Sequence, residues 1–410
     1  MDHYDVATIR ARFPALREGA RGAGGVDLDG PAGTQVPESV IEAMAEVHRN
    51  GISNRSGGFP TSDASDRITA EARSALADLF SSGPEEIAFG QNMTSLTFAV
   101  SRALAREWIE GDEIVVTLLD HDANVAPWRL AAEERGVTVH TVAFDAQSGC
   151  LDPDAIAAVV GPRTRLVAVT HASNALGTIP DVKAIVEIAH TVGALSFVDG
   201  VHYTPHGIVD VAALDTDFLV ASSYKFFGPH LGALYGKAEI LERLDAYKVI
   251  PAPDRGPGKW ETGTQSFESL AGATAAVDHI ASLGEGRSRR DRIVEGQQRV
   301  RRHETALMDR FLAGSAEIPG LRIHGIADPG LLDQRVPTFS VDIDGAQPAD
   351  TAAAMRKQDV YARSGDFYAV GVMTHLGFQD SGGLVRIGFV HYTTSEEVDR
   401  TLDALAHAAE

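Results

Sequence analysis

Two reactive side chains follow two apolar segments in the middle of the chain. Ala194–Val198 is followed directly by Asp199, and Asp217–Ser222 is followed by a short turn that ends in Lys225. Apolar runs of this length, bounded by Gly and Pro, predict strands buried on both faces of a sheet that is covered by helices. Ligands of such sheets bind beyond the carboxyl ends of the strands. We therefore predict that Asp199 and Lys225 lie in one active site.

An acid and a lysine at one sheet edge suit pyridoxal 5'-phosphate (PLP). The aldehyde of PLP forms a Schiff base with a lysine, and its pyridine nitrogen needs an anionic partner to keep its proton and withdraw electrons. A surface lysine near a turn and a helix-capping aspartate are the alternative interpretation. The spacing of Asp199, Ser222 and Lys225 resembles the fold-type I PLP enzymes, in particular the aminotransferase class V and cysteine desulfurase-like group. Tyr224 stands where that group has a histidine before the lysine.

The resemblance extends over nearly the whole chain, with the motifs in the family order. It implies an α/β fold of fold-type I, with a large domain built on a mostly parallel seven-stranded sheet flanked by helices and a small C-terminal α/β domain. We expect an N-terminal segment (1–25) packed on the small domain, a large PLP-binding domain (26–270) and the small domain (271–410). A doubly wound nucleotide-binding enzyme is the competing fold, but no G-x-G-x-x-G follows a strand, since Gly22–Gly25 precedes one.

Three further polar residues follow predicted strands. His121 lies in a segment similar to the family's Glu-His-His-x-Asn-x-x-Pro-Trp, and Asn174 in one similar to its Ser-Asn-x-Leu-Gly-Thr. The resemblance implies that His121 stacks on the PLP ring, that Asn174 hydrogen-bonds its phenolic oxygen, and that His202 lies near the same oxygen. His202 and His206 also form an H-x-x-x-H pair, but Pro205 breaks any helix there and no glutamate base lies between them. We therefore predict no metal site.

The start of a predicted helix offers a phosphate site. Asn92, Met93 and Thr94 follow a strand and open this helix, where backbone N–H groups and the helix dipole bind phosphate without a lysine. A capped helix without a ligand is the alternative. By resemblance Ser222 and Tyr224 also contact the cofactor, and Thr264 reaches the phosphate of a neighbouring subunit, which implies a homodimer with shared active sites.

The C-terminal part supplies candidate substrate-binding residues. Arg386 matches the family arginine that binds the substrate carboxylate, as a guanidinium suits a carboxylate. Arg363 matches the arginine of the family loop Arg-Thr-Gly-His-His-Cys-Ala, and the small residues around Ala32 match a turn near the same carboxylate. In that loop Tyr368 stands where desulfurases carry their nucleophilic cysteine.

The missing cysteine changes the expected reaction. Cys150 is the one cysteine of the chain, and it precedes a probable helix far from the loop that holds Tyr368. Persulfide transfer needs a thiolate, and a tyrosine cannot replace it. We expect Lys225 to act as the base on the substrate Cα–H, with Asp199 and His121 as its catalytic partners, in a β-eliminating lyase for C–S bonds. An aminotransferase, an epimerase and a PLP-binding protein without turnover are the alternatives.

Several residues near the predicted loop remain open in role. Tyr368, Tyr361 and His375 are candidates for shaping specificity or for giving a proton to the leaving group. Each is equally compatible with lining the pocket.

Composition limits the possible partners and location. The 410 residues carry a net charge of −21, whereas nucleic acids and anionic membranes bind proteins through a basic face. We therefore expect neither as a partner. No apolar run approaches the ~20 residues of a membrane helix. The N-terminus lacks the layout of a signal peptide, and a lone cysteine fits a reducing compartment. We expect a cytoplasmic enzyme whose small-molecule substrate is an amino acid, with a side chain that the sequence does not specify.

Overall fold

The computed structural model describes residues 4–17, 19–22 and 24–410. The helices are α1 Val6–Arg10, α2 Glu38–Arg49, α3 Pro60–Phe80, α4 Met93–Ala105, α5 Ala126–Arg135, α6 Pro153–Ala157, α7 Val182–Thr191, α8 Val211–Leu214, α9 Ala238–Arg243, α10 Phe267–Ala281, α11 Arg289–Ser315, α12 Pro348–Arg356, α13 Val370–Leu376 and α14 Ser395–Ala408. The strands are β1 Val26–Asp27, β2 Ile87–Gly90, β3 Glu113–Thr117, β4 Thr138–Val142, β5 Thr164–Thr170, β6 Leu195–Asp199, β7 Phe218–Ser222, β8 Gly232–Gly236, β9 Leu321–His324, β10 Thr338–Ile343, β11 Val360–Tyr361, β12 Arg363–Gly365 and β13 Leu384–Gly388. Within these described ranges, no helix is both long and apolar enough to cross a membrane.

The large sheet has seven strands in the order β2-β8-β7-β6-β5-β3-β4. Strand β8 runs antiparallel to both of its neighbours, and the pairs from β7 to β4 are parallel. Every residue of β7 is buried, as expected for a strand covered on both faces. The predicted mostly parallel seven-stranded sheet is confirmed.

Alternate side chains of each strand enter different layers of core. Val198 and Leu219 face the layer that contains α2, α3, α7 and α10, whereas Phe197 and Phe218 face the layer of α4 and α5. In the second layer the Trp128 ring meets Phe197 edge-on, with ring centroids 4.8 Å apart. The helices therefore hold the sheet from both sides and fix the positions of its strand ends.

The small sheet is antiparallel, with the order β12-β13-β10-β9. Its inner face packs against α11, α12 and α14 around Phe311, Phe339 and Phe389. Strand β1 pairs with β11 in a separate two-stranded sheet beside it. This arrangement brings the first strand of the chain to the small domain.

The junctions differ from the predicted domain limits. The boundary at 270/271 falls inside α10, whose apolar face packs on α2 and α3 in the core of the large sheet. The N-terminal segment was predicted to pack on the small domain, and residues 1–3, 18 and 23 of it lie outside the described part. Of the described residues, Tyr4 donates a hydrogen bond to His391 O, whereas Phe13 packs against Phe227 and His279 of the large-sheet core. The segment thus touches both sides of the junction.

The turn after β1 lies directly against β13. Gly388 N donates to Leu28 O at 3.0 Å, and a Cβ at Gly388 would overlap with the Pro31 ring. A side chain at this position would push the turn off the strand. Residue 388 is therefore a place where backbone approach requires glycine.

We expect the Gly388→Ala substitution to lower the free energy of unfolding by about 1–3 kcal/mol, because overpacked sites relax only partly. Gly161→Ala is the matched control, since a Cβ there meets no atom within 4 Å and its backbone is not left-handed. The control should stay within about 0.5 kcal/mol of the parent. Urea unfolding followed by circular dichroism measures both, and equal effects would contradict the close packing.

Candidate active site

Polar residues from four strands meet at one edge of the large sheet. His121 follows β3, Asn174 follows β5, Asp199 ends β6 and Lys225 follows β7. These strands are parallel, so their carboxyl ends lie on the same side. A cavity of about 720 Å³ opens there, and its lining includes Ala32, Thr94, His121, Asn174, Tyr224, Lys225, Arg363, Tyr368 and Arg386.

Lys225 ends a single 3-10 turn, Ser223–Lys225, that leaves β7. Its Nζ donates a hydrogen bond to the carbonyl oxygen of Pro31. Burial lowers the pKa of Lys225 to about 7, and the nearby Arg386 guanidinium acts in the same direction, against the opposing charge of Asp199. Roughly half of the amines are then neutral at pH 7, so the side chain is both a nucleophile and a base.

Asp199 is buried and accepts a hydrogen bond from Val201 N at 2.9 Å. Burial raises its pKa to about 6, against the Val201 N–H and the Lys225 charge, so the carboxylate stays mostly ionised at neutral pH. Burial also raises the pKa of the neighbouring Asp120 well above its usual range. The Asp199 charge acts on Asp120 in the same direction, whereas the hydrogen bonds from Thr117 and Asn124 oppose the shift.

His121 presents a neutral ring to the cavity. Burial lowers its pKa to about 4, with Lys225 and Arg386 acting in the same direction. Its Nδ1 accepts from Ala123 N at 3.0 Å, which leaves the proton on Nε2. The Tyr368 ring lies nearly parallel to it, with centroids 5.6 Å apart.

A chain of buried hydrogen bonds holds the turn that carries the histidine. Asn124 Nδ2 donates to Asp120 Oδ1 at 2.7 Å, and Trp128 Nε1 donates to Asn124 Oδ1 at 3.1 Å. The offsets of Asn124 and Trp128 were part of the sequence resemblance. Asp120 was not predicted to have a role, because an isolated aspartate after a strand gives no sign of its partners.

The helix start beside the cavity is capped by Asn92. Asn92 Oδ1 accepts from Ser95 N, and Met93 N donates to Ser222 Oγ, both at 2.9 Å. Thr94 lines the cavity next to them. This places backbone N–H groups and the positive end of the α4 dipole at the cavity wall, as a phosphate site requires.

Two buried polar atoms in the cavity wall have no partner among the described residues. Asn174 Nδ2 donates to Phe367 O at 2.9 Å, but Asn174 Oδ1 is unpaired, and so is Nε of Arg386. Buried polar atoms are normally hydrogen-bonded, so these two indicate a polar ligand that completes the site.

His202 lies behind the cavity rather than in its lining. Its Nε2 is hydrogen-bonded to Thr338 Oγ1 at 2.9 Å. Burial lowers its pKa well below the usual value. His206, the other member of the H-x-x-x-H pair, is bound instead to the carboxylate of Glu304.

Tyr368 stands at the cavity mouth with 71% of its surface exposed. Phe367 and Tyr368 both have left-handed backbone, at φ +57° and +56°. Such conformations are costly for bulky residues and persist where surrounding contacts hold them. Here Asp122 N donates to Tyr368 O at 2.8 Å.

Three candidates lie away from this cavity. Thr264 lines a separate cleft with Arg55 and Tyr247, so within one chain it does not join Lys225. Tyr361 packs over Gly25, and His375 Nε2 donates a hydrogen bond to Phe144 O at 2.8 Å, and neither residue lines the cavity. Strand β11 and helix α13 turn these two side chains outward, which a loop alignment does not reveal. Cys150 sits in a turn whose backbone touches Gly325.

Sequence reasoning missed Asp29 and Phe367. Asp29 forms an ion pair with Arg363 at 2.6 Å, and Phe367 lies under the Arg386 guanidinium, 4.5 Å from the ring centroid. Asp29 stands in the turn that we aligned for its small residues, and its acid could have been noticed as the one charge there.

A lysine, a buried aspartate, a neutral histidine and a helix start at one sheet edge define a PLP-dependent enzyme of fold-type I. The chain belongs to the aminotransferase class V family, whose model matches residues 26–401. It is 30% identical to a cysteine desulfurase of Pectobacterium carotovorum subsp. carotovorum strain PC1, over 98% of this chain and 97% of that protein.

Solved structures agree with this assignment. The cysteine desulfurase CsdA of Escherichia coli superposes with a TM-score of 0.85 and 27% identity, over 99% of each chain. The apo cysteine desulfurase of Thermococcus onnurineus NA1 gives a TM-score of 0.86 at 27% identity, covering 98% of this chain and 97% of that one.

PLP is the cofactor of this family member, and the residues fit it. Lys225 would hold the aldehyde, Asp199 the pyridine nitrogen, His121 the ring face and Asn174 the phenolic oxygen, while the phosphate would bind at the α4 start. The unpaired Asn174 Oδ1 and the position of Thr94, at the start of α4 in the cavity lining, are the observations that carry the fit. When bound, PLP supplies an electron sink for the bonds at the substrate Cα.

We expect Lys225→Ala to abolish the visible absorption band of lysine-bound PLP, because no other amine lines the cavity in the described residues. Lys183→Ala, on the exposed side of α7, is the matched control and should keep the band. Absorption spectra of the purified proteins after incubation with PLP measure this. A band that survives in the Lys225→Ala protein would show that another residue holds the cofactor.

Cofactor uptake by the apo chain should depend on pH through Lys225. The neutral amine is the nucleophile, so the uptake rate should rise as pH increases through about 7 and level off above it. Arg386→Gln removes a cation that lowers this pKa, so the midpoint should move to higher pH. Stopped-flow absorbance gives the profile, and a rate still rising toward the ordinary lysine pKa would contradict it.

Proposed function

We propose that the protein is a lyase that eliminates a sulfur-linked β-substituent from an amino acid without a persulfide cysteine. The observation that carries the proposal is the tyrosine at the cavity mouth. Tyr368 occupies the loop position where the family nucleophile is a cysteine, and Cys150 lies in a distant turn. Elimination needs a base and an electron sink but no thiolate.

The substrate carboxylate would bind at Arg386. This guanidinium is only 3% exposed, and its unpaired Nε lacks a hydrogen-bond acceptor. A bidentate carboxylate supplies two acceptors to such a group. Binding there fixes the substrate Cα relative to the Lys225 amine.

Lys225 would act as the base. The neutral amine takes the proton from Cα, which leaves the Cα–H electron pair on the substrate. The electron sink that PLP supplies would stabilise this pair, and Asp199 would keep its negative charge beside the ring nitrogen. The Cβ–S bond then breaks with its electron pair on sulfur. The leaving thiolate takes a proton, and water converts the remainder to pyruvate and ammonia. The net reaction of the β-thio amino acid and water thus gives thiol, pyruvate and ammonia.

Tyr368 would donate the proton to the leaving group. Its hydroxyl belongs to the solvent-facing end of the cavity, and its ring lies parallel to the neutral His121 ring. The strained backbone at Phe367 and Tyr368 supports a positioning role, since such strain concentrates at functional sites.

We also propose a homodimer with shared active sites. The cleft that contains Thr264 is lined by Asn54, Arg55 and the 247–253 segment, and Ile250 on that segment is 95% exposed. An exposed apolar segment next to this cleft supports an interface. Thr264 would then contact the phosphate bound by a second copy.

We expect the holoenzyme to release pyruvate and ammonia from S-alkylcysteines, measured by coupled assay. Cys150→Ser should keep the rate within about twofold, since no persulfide forms. Tyr368→Phe should slow the reaction about tenfold or more, because a positioned acid is lost.

Other products would identify the alternatives. Conversion of the cofactor to its amino form with a keto acid product would mean an aminotransferase, and racemised substrate would mean an epimerase. A protein that binds PLP but does not exchange the substrate Cα–H in D₂O would be a PLP-binding protein without turnover. Loss of activity in Cys150→Ser would overturn the thiol-free mechanism.

A further inference from the structure

A carboxylate of the chain itself lies between the two arginines of the cavity. Asp29 accepts from Arg363 Nη2 at 2.6 Å and from Arg363 Nε at 3.1 Å. The same carboxylate accepts from Arg386 Nη2 at 3.4 Å. Nε and Nη2 of Arg363 thus form a two-point fork with Asp29, whereas the Arg386 contact with Asp29 is at the long end of hydrogen-bond distance.

The backbone fixes Asp29 in this place. Residue 29 forms a bridge to Gly388, two residues beyond Arg386 on the adjacent strand. Asp29 N donates to Asp27 Oδ1 at 3.0 Å, which ties the turn to β1. The Asp29 backbone is therefore held beside the strand that carries Arg386.

Arg386 remains incompletely paired. Its Nη1 donates to Asn174 O at 3.2 Å, the Phe367 ring covers one face, and its Nε has no partner among the described residues. Among the three groups in contact here, two guanidiniums and one carboxylate leave one positive charge, and Asp122 and Asp366 elsewhere in the cavity lining are further acids that disfavour a second anion. One further carboxylate neutralises this positive charge, and a second would be left without a partner charge.

We propose that Asp29 is a specificity-determining residue that limits the site to amino acids with one carboxylate. Because Asp29 already pairs with both arginines, their remaining positive charge matches only the α-carboxylate of a substrate. Substrates with an acidic side chain would leave an unpaired anion near Asp29. The inference rests on the proposed amino-acid substrate and names its class as monocarboxylic, with an uncharged or cationic side chain.

Propionate and malonate test the charge match directly. They have three carbons each and differ in one carboxylate, and titration calorimetry of the PLP-loaded protein needs no turnover. We expect the parent protein to bind propionate more tightly than malonate. Asp29→Asn, which frees both guanidiniums, should raise the malonate-to-propionate affinity ratio about tenfold or more.

A charge cycle separates this role from a structural one. Arg363→Gln leaves the site neutral and should weaken propionate binding about tenfold. The double variant Asp29→Asn/Arg363→Gln regains one positive charge, so its affinity ratio should return to within about threefold of the parent. Asp399→Asn breaks a comparable pair with Arg310 on the outer helices and should change neither affinity. If Asp29→Asn does not fold, Arg363→Gln still tests the proposal, because it changes the charge of the site in the opposite direction and should weaken propionate binding.

The proposal is overturned if the Asp29→Asn ratio stays within about twofold of the parent, or if the parent already prefers malonate. It is also overturned if the double variant keeps the shifted ratio, since charge would then not be the cause. If the affinity ratios are as expected but no pyruvate is released, the lyase reaction is refuted and the proposed selection for one carboxylate still holds. Thermal unfolding of each variant confirms that the folded proteins are compared.

Discussion

Burial of opposite charges at the carboxyl edge of the large sheet is the constraint on which the site depends. The Lys225 amine is taken from water between the Asp199 carboxylate and the Arg386 guanidinium. The Asp199 charge offsets part of the cost of burying the ammonium, whereas burial and the Arg386 charge together lower the pKa of Lys225 to about 7. The two helical layers exclude water from this edge of the sheet. The lowered pKa of Lys225 therefore depends on both layers and on the sheet between them.

The site is assembled from two independent sheets. The large sheet supplies Lys225, Asp199, His121 and the α4 start, which together form the cofactor end. The small sheet supplies Arg363 from β12 and Arg386 from β13, which pair directly across the strands. The turn after β1 joins the two ends, since Pro31 accepts from Lys225 while Asp29 accepts from both arginines. The residues proposed to hold the cofactor and those proposed to bind the substrate therefore come from different parts of the fold.

The cofactor end could be predicted from the sequence because its signals are local. Asp199, Asn174 and Lys225 each lie at or a few residues beyond the carboxyl end of an apolar strand. In a parallel sheet these ends lie on the same side, so the three side chains are expected to be close together. The substrate end could be predicted only in part. Asp29 and Arg363 are 334 positions apart, and nothing in either segment identifies the other as its partner. The outward direction of Tyr361 depends on its pairing in β11, which a one-residue register change would reverse.

The pairing of the β1 turn with β13 has a consequence for synthesis. All strands of the large sheet are made by residue 236, and α10, which packs on one of its faces, ends at residue 281. Asp29, although among the first residues made, lacks its partners on β12 and β13 until residues 363–388 have emerged. The contacts between Asp29 and the two arginines therefore form late in synthesis, after the residues that end the strands of the large sheet have been made.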